Sequence, residues 1–260
     1  MENIKGLVKE LSERDEVEAI VLGGSRATGK NDKDSDYDVY VYLSEEMDPE
    51  VRKNILQIYC NYIELNNTYW EAEDDCTLND GTVIELIYRN LDQFNGMIDN
   101  IIIKGNASNG YTTCMWHNLL TGKILFDRRD EYSKMQSKYS IPYPKLLKDN
   151  IIQKNFELLK GYIPSYDAQL LKACKREDIV SVNHRITEFL ASYFDIIFAV
   201  NELPHPGEKR LLSLCTQNCR QLPEHFIENI EGLIRSVADT SKTDYYLTGI
   251  LAEMEWFLGK

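Results

Sequence analysis

The alternation of apolar and polar positions divides the chain into two stretches of different character. In residues 3–13, Ile4, Leu7, Val8 and Leu11 fall at helical spacing, so an amphipathic helix is expected to open the chain. Residues 17–22 are apolar and rich in β-branched side chains, the signature of a buried strand. Residues 23–30 are dominated by Gly, Ser and Thr and read as a turn. From Asp36 to Leu43 the period is two. Tyr37, Val39, Val41 and Leu43 point one way, and Asp36, Asp38, Tyr40 and Tyr42 the other, which predicts a second strand. The pattern then gives a helix over 49–59 and a strand-forming stretch over 62–70, interrupted at Asn66-Asn67. A strand over 82–88 is entered through Asn79-Asp80-Gly81. Helices over 91–103 and 112–120 follow, then a short strand over 123–126 before the charged run 127–131.

The character changes at 140–144, where Pro142 and Pro144 bracket Tyr143. Beyond it only helical spacing recurs, over 146–162, 168–175, 179–201, 207–217, 226–238 and 244–258, with turns at Pro164, Pro204-His205-Pro206 and Pro223. The expected organisation is an α/β (α+β) domain over 1–144, its boundary falling near 143–146, followed by an all-α helical-bundle domain over 145–260.

Composition adds bounds. The chain has 260 residues, 43% of them hydrophobic, enough apolar material for one large domain or two modest ones. Its longest apolar stretches, such as 101–103 and 196–200, are far too short to cross a bilayer, so no membrane partner is expected. Residues 1–10 are charged and amphipathic rather than signal-like, and a cytoplasmic location is the default expectation. The six cysteines are scattered without a Cys-x-x-Cys pair and read as reduced thiols. A net charge of −13 argues against gripping nucleic acid, where phosphate neutralisation supplies much of the affinity. It suits a small, cationic partner instead, although the same charge also keeps a protein in solution.

The chemistry concentrates around the first two strands. The buried strand ends in Gly23-Gly24, where missing side chains let backbone N–H groups approach a ligand, and Ser25 adds a hydroxyl; such a turn can seat phosphate oxygens. Asp36 and Asp38, two apart at the start of the next strand, share a face. Two adjacent carboxylates call for a cation, and Mg2+ completes its oxygen shell with substrate phosphates and water. Glu85 is the only charged residue in 82–88 and is expensive there unless it faces a polar site. It reads as a third metal ligand, as a general base, or as a solvent-facing residue of a one-sided sheet. Asp32 and Asp34 lie in a stretch without apolar residues and read as loop charges.

The run of an apolar strand, Gly24-Ser25, a spacer, Asp36-x-Asp38 on a strand and an acid on a later strand resembles the signature of the DNA polymerase beta-like nucleotidyltransferase superfamily. The wording Gly24-Ser25-Arg26-Ala27-Thr28-Gly29 and the helical second half resemble its antibiotic-modifying branch, the aminoglycoside and lincosamide nucleotidyltransferases. The third acid of that superfamily is more often aspartate than the glutamate of position 85. The resemblance implies a mixed sheet and a metal-assisted, in-line transfer of NMP, with ATP the expected donor, to a hydroxyl of a small acceptor. The acceptor would be antibiotic-like and the protein an antibiotic-resistance enzyme. Gly24 and Ser25 would hold the triphosphate, Asp36 and Asp38 the magnesium, and Glu85 the acceptor's proton or the metal. Arg26 is a candidate phosphate contact or the partner of a loop Asp. Lys209 is a candidate second contact for the triphosphate. Two alternatives are a protein or tRNA acceptor and a non-catalytic nucleotide sensor. A sensor has little reason to keep three acids that repel one another. Monomer and homodimer are both compatible with the sequence.

Three weaker signals complete the reading. Glu71, Glu73, Asp74 and Asp75, beside Trp70, either attract a cationic acceptor or form a solvated loop, and the loop is preferred. Tyr40 and Tyr42 could stack a base but are read as core. The span from Arg220 to His225 resembles the Arg-x4-His motif of helical RNases, which needs a continuous helix that Pro223 interrupts.

Overall fold

The structure, a computed structural model, describes residues 2–29, 31–32, 35–69 and 71–259. The readings made for Asp34 and Trp70 therefore lie outside the described residues. The chain forms two compact units, Met1–Asn100 with Trp116–Ile141, and Ile101–Met115 with Pro142–Lys260.

The first unit is built on a six-stranded mixed sheet of order β3-β4-β5-β2-β1-β6. Its strands are β1 (Val17–Leu22), β2 (Tyr37–Leu43), β3 (Cys60–Asn67), β4 (Ala72–Leu78), β5 (Val83–Asn90) and β6 (Lys123–Asp127). Only β2 and β5 run parallel; the other neighbours are antiparallel. Period-two alternation sends Ile20, Leu22, Val39, Val41, Ile84 and Leu86 to one face. There they bury Leu7 and Leu11 of α1 (Lys5–Ser12) and Leu56 of α3 (Pro49–Tyr59). On the other face Tyr42 packs on Phe94 of α4 (Leu91–Ile102) and on Tyr132 of α6 (Glu131–Tyr139), with ring centroids 5.0 and 4.9 Å away. Tyr40 and Tyr42 are buried, as the core reading held.

Three local expectations are corrected. The turn over 23–30 contains a short helix, α2 (Gly24–Thr28), closed by Gly29 at φ +70°. The acidic run is not a solvated loop but most of β4, inside the sheet between β3 and β5. Asp74 is fully buried there and pairs with buried Arg52 of α3 at 3.0 Å. Backbone pairing on both sides fixes this strand, and one guanidinium offsets its inward charge. Helix α6 also forms where the charged run gave no element, because Tyr132, Met135 and Tyr139 recur at helical spacing and bury together.

The second unit is helical, with α7 (Lys145–Leu159), α8 (Tyr166–Lys175), α9 (Ile179–Val200), α10 (Leu211–Asn218), α11 (Phe226–Arg235) and α12 (Thr243–Phe257) around a core centred on α9. The segment 101–115 packs with these helices, so the chain passes between the units more than once rather than at a single boundary near 143–146. Helix α5 (Cys114–Thr121) begins in that segment. The six cysteines are free, in keeping with reduced thiols. Arg220 lies outside helix and His225 caps α11 at φ +50°, so the RNase-like pattern has no continuous helix. No helix among the described residues is long and apolar enough to cross a membrane.

Candidate active site

The ends of three strands define the site. β1 stops at Leu22, which pairs with Val39, and the Gly23 N–H then donates to the Asp38 carbonyl at 2.8 Å. The turn is thereby tied to the first residues of β2. Gly24 follows at φ +57°, and a β-carbon there would lie 1.7 Å from Asp38 Oδ2. The Asp38 carboxylate thus rests against the bare backbone of Gly24, which only glycine permits. A β-carbon on Gly23 would in turn meet the Tyr40 ring at 2.4 Å. Both glycines exist for close approach, one to a carboxylate and one to a ring. The partly buried Ser25 hydroxyl makes no hydrogen bond among the described residues.

Asp36 immediately precedes β2, two residues before Asp38, and its charge acts on Glu85 together with that of Asp38. Its loop is held by Arg26, whose Nε donates to the Asp36 carbonyl at 2.8 Å and to the Ser35 carbonyl at 3.1 Å. Arg26 Nη2 also donates to the Ser35 carbonyl, and the guanidinium lies 4.1 Å from the Tyr37 ring centroid. The arginine is therefore occupied by backbone carbonyls and an aromatic face. Asp32 closes a local turn with Ser35, which donates from Oγ to Asp32 Oδ1 at 3.0 Å, so it behaves as a loop charge.

Parallel pairing sets Asp38 opposite Glu85, and antiparallel pairing sets Asp75 opposite Glu85 from the other side. Three acids on three neighbouring strands thus stand in one row. Burial pushes the Glu85 carboxyl up to about 7, and the negative charges of Asp38, Asp36, Asp75 and Glu73 push in the same direction. The site is a concentration of negative charge. Among the described residues no group of three His, Cys, Asp or Glu side chains forms a ready-made metal cage. Two carboxylates leaving the remaining positions to phosphate oxygens and water is the arrangement that suits magnesium. Lys209 is exposed in the second unit, just before α10.

From the sequence, Glu73 and Asp75 belong only to an acidic run read by preference as a loop, and Arg26 is a phosphate contact or the partner of a loop Asp; that Asp75 stands beside Glu85 and that Arg26 braces backbone carbonyls is seen only in the fold. The alternation Glu73-x-Asp75 on a strand was the available signal, hidden by the density of charge around it.

Residues 4–92 match the nucleotidyltransferase domain family. No curated protein sequence matches the chain. Among solved structures, a nucleotidyltransferase-like protein from Exiguobacterium sibiricum 255-15 is similar at 10% identity and a TM-score of 0.45, over 99% of this chain and 74% of that one. An aminoglycoside 6-adenyltransferase from Bacillus subtilis is similar at 11% identity and a TM-score of 0.30, over 100% and 92%. A Thermotoga maritima CCA-adding enzyme complexed with tRNA is similar at 10% identity and a TM-score of 0.27, over 99% and 80%. The family match covers the glycine turn, the Asp36-x-Asp38 strand start and Glu85, so residues 4–92 carry a nucleotidyltransferase domain.

Proposed function

We propose that the chain transfers the nucleoside monophosphate of ATP to a hydroxyl of a small acceptor in a magnesium-dependent reaction. The observation that carries this reading is the row formed by Asp38 and Glu85, with Asp36 beside it, against the glycine turn. So dense a negative charge favours a cation, and a metal–triphosphate complex would supply one together with the donor. Asp36 and Asp38 would hold the magnesium, which when bound would neutralise charge on the phosphates. Gly24 and the Ser25 hydroxyl would hold phosphate oxygens.

The acceptor hydroxyl oxygen forms the new bond to the α-phosphorus while the bond between that phosphorus and the bridging oxygen breaks. Pyrophosphate leaves with the electron pair. Glu85, opposite Asp38 on the neighbouring strand, would take the hydroxyl proton as a general base. It can also serve as a third ligand. Most of the acceleration would come from positioning and charge stabilisation. The net charge of −13 favours a small acceptor over tRNA. An antibiotic acceptor of aminoglycoside or lincosamide type is the specific form of this reading, resting on the Gly-Ser-Arg-Ala-Thr-Gly wording.

The test is nucleotide binding with and without Mg2+, followed by pyrophosphate release and acceptor mass gain across a hydroxylated panel. Wild type should bind ATP only with the metal and produce a mass gain with at least one acceptor. Asp38→Ala should lose both while its circular dichroism stays unchanged. Full activity in that variant would overturn the site, and tight binding without release on any acceptor would favour the sensor.

A further inference from the structure

One cavity of the first unit, lined by Glu73, Asp75 and Glu85, belongs to the site described above. A different one, of ≈ 570 Å³, lies at the far ends of β1 and β2, under the start of α4 and against α6. Glu18 of β1 stands in its wall. The strand carries one extra residue there, because Val17 pairs with Leu43 and Ala19 already with Tyr42, and a bulge of this kind re-aims a side chain. Glu18 comes five residues before Gly23. At ~3.3 Å per strand residue the cavity is therefore roughly 16 Å from the glycine turn.

Glu18 is 6% exposed, and its Oε1 accepts from Arg129 Nη2. Its Oε2 has no hydrogen-bond partner among the described residues. The last torsion of a glutamate side chain is soft, so either oxygen can be turned to the cavity. The Arg129 side chain is 65% exposed, and its remaining guanidinium N–H groups donate to nothing among the described residues. The pair is thus half used, with a carboxylate oxygen and a fork of donors side by side. The other two bases of the wall are engaged, Lys134 by Glu131 at 2.9 Å and Lys138 by Asp99 at 3.1 Å. With Asp92 at the rim the lining acids balance the lining bases, so neither a bare anion nor a bare cation is favoured. Buried Leu43, Leu91 and Met135 give the same wall an apolar part.

We infer that this cavity binds a free α-amino acid with an apolar side chain, at a site separate from the nucleotide chemistry. The ligand's ammonium lies on Glu18, its carboxylate on the Arg129 fork, and its side chain on Leu43, Leu91 and Met135. An α-amino acid carries its two charges side by side on one carbon, as the Glu18–Arg129 pair does across its contact, so the four charges alternate in sign. The ammonium supplies the donor that a nine-tenths-buried carboxylate otherwise lacks. None of these residues takes part in the proposed transfer, so the inference stands without it.

The experiment is calorimetric titration of the full-length protein with L-leucine, L-methionine and L-phenylalanine, with and without Mg2+ and a non-hydrolysable ATP analogue. At least one of the three should bind one to one under both conditions. Glycine should bind at least about tenfold more weakly, for want of a side chain to bury. The N-acetylated and the C-amidated forms of the amino acid that binds should each lose roughly tenfold or more, as should Glu18→Gln and Arg129→Gln, because each removes one charge of a partly desolvated set. Arg129 is exposed, so its variant reads the cavity even if Glu18→Gln melts lower. Affinity for the ATP analogue should be unchanged in both variants, and Asp38→Ala should bind the amino acid like wild type. The inference is overturned by no binding of any of the three, by blocked forms or variants that bind equally well, or by binding that the ATP analogue or Asp38→Ala abolishes.

Discussion

Arg26 shows how one side chain can brace the approach to a strand. Its guanidinium is spent on the carbonyls of Ser35 and Asp36 and on the Tyr37 ring, all at the point where the loop becomes β2. These contacts fix where Asp36 enters relative to Asp38. Lysine offers a point charge in place of a planar fork and cannot hold two carbonyls while stacking. Arg26→Lys is expected to lower kcat by about tenfold, the size of one charge-assisted hydrogen bond, and to raise the Mg2+ concentration needed for half-maximal rate. KM for the triphosphate should change little. Steady-state kinetics at varied Mg2+ decides it. If the KM for ATP rises instead and kcat is kept, Arg26 contacts phosphate directly.

Among the elements, the segment 101–115 depends most on one buried charge. The Thr112 backbone N–H donates to Asp195 Oδ1 at 3.1 Å and its hydroxyl to Oδ2 at 2.6 Å. Asn155 Nδ2 donates to the same Oδ2 at 3.2 Å, and Asn155 Oδ1 accepts the Gly110 N–H at 3.0 Å. Burial nevertheless outweighs these donors and pushes the Asp195 carboxyl from 3.8 up to about 7. Below the unfolded value both states hold the proton and the contribution is whole. Between the two values the unfolded chain has released its proton while the folded chain keeps it, so stability falls as pH rises. The fall is at most ~1.4 kcal/mol per pH unit and ends above the folded value. Urea midpoints between pH 5 and pH 8 should therefore drop more for wild type than for Asp195→Asn. Parallel curves for the two proteins would show that Asp195 is already ionised at pH 5.

At the scale of the whole molecule, the helical unit takes in a piece of chain from between α4 and α5. A β-carbon on Gly110 would lie 2.9 Å from the Ala191 backbone, so that piece sits directly on α9. Residues 145–260 expressed alone would lose both Thr112 donors and leave Asp195, 1% exposed in the whole protein, with Asn155 alone. Leaving a buried polar group without its hydrogen-bond partners costs about 1–3 kcal/mol, a sizeable part of a net stability of roughly 5–15 kcal/mol. The 145–260 fragment should show a lower urea midpoint and bind a hydrophobic dye, and a fragment carrying 101–115 in trans should recover part of the loss. A 145–260 fragment as stable as the intact helical unit would make the clasp energetically irrelevant.

The chain by itself determined whatever depends on near neighbours: the alternation of β2 and β5 and the helical spacing beyond Pro144. Each is a relation between residues within a turn or two of one another, and local sterics fix it. The nucleotidyltransferase signature was legible for the same reason. Register was not. That Asp75 stands beside Glu85, that Asp74 turns inward to Arg52 while Glu73 turns to a cavity, and that Arg26 clasps the Asp36 carbonyl are relations between distant segments. An acidic stretch has no strand propensity to announce it, and pairing on both sides with β3 and β5 made it one. A slip of one residue would have exchanged its two faces, and only the packed sheet excludes that slip.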